Sequence, residues 1–152
     1  IYVSWFFSFL VKVRYLPGGD GYLAALILIT KSSDIGAYLV GSRVGRHKLI
    51  PRISPKKTVE GLVGGLLFGI LTAMLCRPFL PDFSYLHLAV LGLAIALIAE
   101  LGDLSESLIK RDCQVKDSGL LFPGLGGILD LIDSLLFTAP AFYFYMSNIK
   151  YS

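Results

Sequence analysis

Charged side chains are scarce in this chain. Only 16% of its 152 residues are Asp, Glu, Lys or Arg, where a soluble domain carries about 25%. The shortfall falls in long uncharged runs, 55% of the residues are hydrophobic, and mean hydropathy is +0.69. These values argue against a water-soluble domain and for an integral membrane protein. Cysteine is also rare. Cys76 and Cys113 have no metal-ligand spacing and cannot build a disulfide framework, so Cys76 reads as a small apolar helix residue and Cys113 as a reduced cytoplasmic thiol. The two histidines, His47 and His87, are far apart in the sequence, which excludes a histidine-based metal centre. A basic leader and a small-residue cleavage site are both missing, so a signal peptide is not expected. The first residue is Ile1 rather than Met, from which we expect an N-terminally truncated fragment or a processed form. Ile1 to Val11 is apolar but short of the about 20 residues a span needs, and reads as the tail of a helix. With no low-complexity linker and no internal repeat, residues 1–152 read as one membrane-embedded domain.

Four apolar stretches are long enough to span or nearly span, at about 21–40, 59–80, 85–104 and 126–148. The expected fold is an all-α, polytopic transmembrane helix bundle. Gly61, Gly64, Gly65 and Gly69 are spaced to let helices approach closely. Acids are absent between Gly41 and Thr58, where Arg43, Arg46, Lys48, Arg52, Lys56 and Lys57 cluster. On a soluble domain such a cluster suggests nucleic acid; beside membrane spans it suits anionic lipid or the phosphates of a ligand. The turn Pro81-Asp82-Phe83-Ser84 has no basic residue, while the loops before and after that hairpin hold residues 43–57 and Lys110 to Lys116. Both basic loops therefore fall on one side, which the positive-inside rule makes cytoplasmic. Lys12 and Arg14 then lie opposite, against the trend.

Ionisable groups inside apolar stretches are costly and mark functional positions. Lys31, Asp34 and Tyr38 share a face of the first span; they read either as an internal Lys31–Asp34 pair or as the lining of a polar cavity. Ser54 or Thr58 can cap the second span, with Glu60 favourable at its start. Capping does not account for Lys56 and Lys57, which precede a helix N-terminus as a phosphate site or a lipid-surface contact. Glu100, Asp103 and Ser107 lie along one face, and Glu106 can pair with Lys110. This end reads as a solvated face, or, with Asp117, Asp130 and Asp133, as a source of hard oxygen ligands suited to Mg²⁺. Gly124, Gly126 and Gly127 can admit a phosphate or a neighbouring helix.

These residues, in this order, resemble the CTP:phosphatidate cytidylyltransferases, the CDP-diacylglycerol synthases. The resemblance runs from Ser33 to Ser134. Its upstream part is Ser33-Asp34, Ala37-Tyr38, Gly41, Arg43, Gly45 to Lys48, Ser54 to Thr58 and Glu60-Gly61. Its downstream signature is Ser107, Lys110-Arg111, Lys116-Asp117, Gly119, Phe122-Pro123, Gly126-Gly127, Asp130 and Asp133. Two positions depart: Leu125 stands where the family pattern has histidine, and Leu131 where it has arginine.

The resemblance implies that CTP and phosphatidic acid give CDP-diacylglycerol and pyrophosphate. It implies catalytic roles for Asp117, Asp130, Asp133, Lys110 and Arg111, with the three aspartates holding Mg²⁺ and a second metal ion as an option. It further implies substrate contacts from Lys56, Lys57, Ser107, Lys116, Asp34, Tyr38, Gly126 and Gly127. The expected partners are CTP, phosphatidic acid and the lipid bilayer, with a homodimer as a further option and no nucleic acid. The expected location is a bacterial inner membrane, with the site loops cytoplasmic. Leu125 and Leu131 motivate an alternative, a catalytically inactive lipid-binding homologue. A cation or proton transporter accounts for the charges within the spans but not for the two basic loops.

Overall fold

A computed structural model describes residues 2–51, 53–112 and 128–151, including their side chains except at 2, 3, 110, 111, 128–133 and 149–151. Its elements are α1 (Tyr2–Arg14), α2 (Gly19–Val44), β1 (Lys48–Ile50), β2 (Ser54–Thr58), α3 (Val59–Leu75), a 3₁₀ turn (Arg77–Phe79), α4 (Tyr85–Asp112) and α5 (Ile128–Tyr151). The four expected spans fall on α2 to α5. Helix α2, and Tyr85–Ile109 within α4, are long and apolar enough to cross a membrane. Helix α3 is shorter because Pro78 and Pro81 follow it closely, and proline offers no amide to continue a helix. Helix α4 runs past the expected end at Leu104 to Asp112. Its last turns carry charge but no glycine or proline after Gly102, and charge alone does not end a helix.

Successive helices pack side by side, α2 on α3, α3 on α4 and α4 on α5, with α1 against α5. The glycines of α3 make this possible. A Cβ on Gly65 would stand 3.1 Å from the Ala37 Cβ and the Ser33 carbonyl oxygen of α2. A Cβ on Gly69 would stand 2.8 Å from the Ala96 Cβ of α4. Small residues thus bring three backbones together, as expected for helices packed in lipid. The α1–α2 connection turns at Gly18, whose φ of +83° favours glycine.

The apolar core gathers toward one end of the bundle, around Phe9, Val13, Tyr22, Leu26, Ile29, Leu80, Phe83, Leu88 and Phe142. Large apolar side chains such as Leu71, Leu75 and Leu86 point outward, the arrangement for a surface that meets lipid. The side-chain hydrogen bonds and ion pairs that join different helices lie toward the other end, where α2 and α4 finish and α3 and α5 begin. One element was not foreseen: β1 and β2 form an antiparallel hairpin between α2 and α3, with Lys48 opposite Thr58 and Ile50 opposite Ser54.

Candidate active site

The hairpin is tied to α3 by two side chains. The Thr58 hydroxyl accepts the Gly61 N–H at 3.1 Å and caps α3. Glu60 accepts the backbone N–H groups of Arg46 at 3.1 Å and His47 at 3.2 Å, and its other oxygen lies 2.6 Å from His47 Nδ1. Glu60 therefore does more than favour a helix start: it hooks the chain leaving α2. The basic side chains of Arg43, in the last turn of α2, and of Arg46, Lys48 and Lys56 beyond it are all exposed.

Lys57 behaves differently. Strand alternation turns it away from Lys56, and its side chain is only 16% exposed. Its Nζ donates to Glu100 at 2.7 Å and pairs with Asp103 at 2.8 Å. Both carboxylates lie on the α4 face that leads to Ser107, which is half-buried, and on to the turn carrying Lys110 and Arg111. Glu106, on the same turns, is buried. Across α4, a Cβ on Gly102 would meet the Phe137 ring of α5 at 3.0 Å, so this part of α4 is fitted closely on two sides.

A second polar cluster joins α2 to α5. Lys31 Nζ lies 2.9 Å from Asp34 Oδ2 and 2.9 Å from Ser134 Oγ, and the Ser134 hydroxyl donates to the same Asp34 oxygen at 2.9 Å. Next to it, Thr30 meets Thr138 at 3.4 Å. The Lys31–Asp34 pair expected from the sequence is thus formed, with both side chains about one-third exposed. Tyr38, one turn further along α2, is 74% exposed and lies at the surface.

Asp130 and Asp133 lie in the first two turns of α5, at the polar end, with Asp133 next to Ser134. Their side chains, and those of Lys110, Arg111 and Leu131, lie outside the described residues, as do the segments holding Lys116, Asp117, Leu125, Gly126 and Gly127. Among the described residues no three His, Cys, Asp or Glu side chains gather as a metal site. The expected metal ligands Asp117, Asp130 and Asp133 all fall outside that set.

Two contacts had no counterpart in the sequence reading. The link from Lys57 to Glu100 and Asp103 joins residues 43 positions and more apart, and no local spacing encodes it. Ser134 carried one signal, as a small polar residue following Asp133 in an apolar helix, where hydroxyls tend to face other helices.

Residues 1–149 match the sequence model of the Cytidylyltransferase family. The chain is 41% identical over 150 residues to the phosphatidate cytidylyltransferase of Bacillus subtilis (strain 168), covering 97% of this chain and 55% of that protein. It is 45% identical over 141 residues to the phosphatidate cytidylyltransferase of Staphylococcus aureus (strain COL), covering 91% and 53%. An uncharacterized protein of Escherichia coli (strain K12), YnbB, is 44% identical over 136 residues, covering 90% and 46%. The chain thus spans about half the length of the curated relatives it matches. A match across nearly the whole chain, on a mostly helical bundle, shows that it belongs to the cytidylyltransferase family.

Proposed function

We propose that this chain carries the reacting end of a phosphatidate cytidylyltransferase, which joins CTP to phosphatidic acid and releases pyrophosphate. The observation that carries this reading is the meeting, at one end of an apolar bundle, of the basic hairpin, the α4 turns of Ser107, Lys110 and Arg111, and the first turns of α5 with Asp130 and Asp133. A lipid substrate reaches such a site from the bilayer and a nucleotide reaches it from water. In this orientation the hairpin and the segment between α4 and α5 face the cytoplasm, in a bacterial inner membrane.

A phosphate oxygen of phosphatidic acid attacks the α-phosphorus of CTP. One P–O bond forms, and the bond from that phosphorus to the β-bridging oxygen breaks, with pyrophosphate taking the electron pair. The attacking phosphate is already anionic, so no protein nucleophile or strong base is needed. The protein's work is to bring two polyanions together and neutralise them. Lys56, Lys110, Arg111 and Lys116 are suited to hold phosphate oxygens, with Ser107 donating a hydrogen bond. Asp34 and Tyr38 are further candidate substrate contacts, and Gly126 and Gly127 are suited to let backbone approach a phosphate. Asp117, Asp130 and Asp133 would hold Mg²⁺. Asp130 and Asp133 sit three apart at the start of a helix and offer the hard oxygens that this ion prefers. Asp34, Glu100 and Asp103 instead sit in ion pairs with Lys31 and Lys57. When bound, the ion adds positive charge beside the nucleotide phosphates.

The test is conversion of phosphatidic acid in mixed micelles by the purified protein with labelled CTP and Mg²⁺. CDP-diacylglycerol and pyrophosphate should appear in equal amounts, and chelation should stop the reaction. Asp130→Asn and Asp133→Asn should each lower turnover at least ~100-fold, the scale of losing a key electrostatic contributor. Near-normal turnover in both variants would overturn the metal assignment. Leu125 and Leu131 favour a second reading, a lipid-binding relative without catalysis. Binding of phosphatidic acid with no turnover at any CTP concentration would select it.

A further inference from the structure

Lys56 and Lys57 are neighbours in sequence but not in circumstance. Lys56 is exposed and has no ion-pair partner among the described residues, while Lys57 is largely buried between Glu100 and Asp103. Resting on the cytidylyltransferase reading, we propose that Lys57 is a positioning residue rather than a phosphate ligand. It straps the basic hairpin to the α4 turns of Ser107, Lys110 and Arg111, and leaves Lys56 as the member of the pair that meets substrate phosphate.

Three observations carry this. The cluster of Lys57, Glu100 and Asp103 has a formal charge of −1, so a triphosphate approaching Lys57 meets more negative than positive charge. Drawing Lys57 away to a phosphate would break both ion pairs and leave two carboxylates three residues apart on one half-buried face, which is strongly unfavourable. The strap also acts where it has leverage. Lys57 immediately precedes Thr58, the cap of α3, and Glu100 and Asp103 lie one to two turns before Ser107. With Gly102 seated on Phe137 from the other side, the two contacts together set the rotation of α4 as it enters the site.

The experiment compares Lys57→Met, the double change Glu100→Gln/Asp103→Asn, and the exchange Lys57→Glu/Glu100→Lys made together with Asp103→Asn in the purified protein. A strap predicts that the first two each lower kcat by roughly 10- to 100-fold, with KM for CTP within about 3-fold of the parent, as for misplacement of catalytic groups. Combining them should cost little more than either alone, because both break the same link. The exchanged pair should return to within about 5-fold of the parent, since it rebuilds the ion pair with its sign reversed and no lysine at position 57. Lys56→Met should instead raise KM for CTP, by about 10-fold.

A second measurement needs no turnover. Spin labels at Lys48→Cys and Leu108→Cys, with Cys76→Ala and Cys113→Ser, report the distance between hairpin and α4. The distribution should be narrow in the parent, broad in Lys57→Met and in the carboxylate variant, and narrow again in the exchange. An unchanged distribution in Lys57→Met overturns the strap. So does a raised KM for CTP in Lys57→Met while Glu100→Gln/Asp103→Asn keeps parental kinetics. If the parent transfers no cytidylyl group but the distances respond as stated, the strap stands and the catalytic reading falls.

Discussion

Lys31 and Asp34 would each be expensive alone among apolar helices, and neither stands alone. Their pair is about one-third exposed, so it avoids the full penalty of a buried ion pair. The Ser134 hydroxyl closes the cluster by accepting from Lys31 and donating to Asp34. That gives α2 a directional grip on α5 one residue after Asp133. Ser134→Ala should therefore destabilise the protein by about 1 kcal/mol, the usual net value of such a hydrogen bond. Lys31→Met and Asp34→Asn should each cost more than the double variant Lys31→Met/Asp34→Asn beyond additivity, because each single change strands a partner. Thermal unfolding in detergent checks both statements, and strictly additive losses would mean the pair is not coupled. Spacing alone put Lys31 and Asp34 on one face. It could not supply Ser134, because periodicity says which residues share a face and not which faces meet. Lys57 repeats the lesson: its position before a helix start suggested phosphate, and its carboxylate partners lie on another helix.

Helix α3 shows where an apolar pattern is most informative. Its glycines recur every three to four residues, and that spacing predicted close helix approach, which the contacts of Gly65 with α2 and of Gly69 with α4 bear out. From the α4 side, a Cβ on Gly92 would come within 2.7 Å of both the Ala73 Cβ and the Gly69 carbonyl oxygen. Here the obstacle includes backbone, which cannot rotate aside. Gly92→Leu should thus force α3 and α4 apart at a cost of at least about 1–3 kcal/mol, the range for overpacking a tight interface. Leu71→Ala, on the outward face of α3, should change stability by no more than about 0.5 kcal/mol. Melting temperatures of the two variants, measured in one detergent, test the contrast, and equal losses would place the glycines away from the packing surface. The hairpin of β1 and β2 was illegible for the opposite reason. Its strands have three and five residues, one contains Pro55, and the register shifts between Lys48 and Ile50. So short and irregular a pair carries almost no alternating pattern. It is held in part from outside, by Glu60 on the backbone of Arg46 and His47 and by Lys57 on α4.

The molecule separates its two kinds of interior along its length. Aromatic and aliphatic side chains fill one end, around Phe9, Tyr22, Phe83 and Phe142, while ion pairs and hydroxyls link the helices toward the other. This division follows from the chain's order. Basic residues lie where α2 ends and where α4 ends, and helices that alternate in direction bring the two to the same end. Lys12 and Arg14 run against the trend, but both are locally engaged. Lys12 Nζ sits 4.3 Å from the centre of the Phe9 ring, and Arg14 pairs with Asp20 at 2.7 Å. Arg77, at the same end, lies 4.3 Å from the centre of the Tyr85 ring. These contacts leave the cations charged, and the larger number of Lys and Arg lies at the opposite end. The proposed topology rests on that majority, which includes the exposed Arg46, Lys48 and Lys56, side chains with no ion pair among the described residues. Single cysteines at Lys48 and Asp112, with the native cysteines removed, should react with an impermeant maleimide only from the cytoplasmic face. A cysteine at Asp82 should react only from the opposite face. Labelling of Lys48→Cys and Asp112→Cys from different sides would break the α3–α4 hairpin as a double crossing. Labelling of both from the outside would leave the bundle intact but invert it, separating the site from the nucleotide proposed for it.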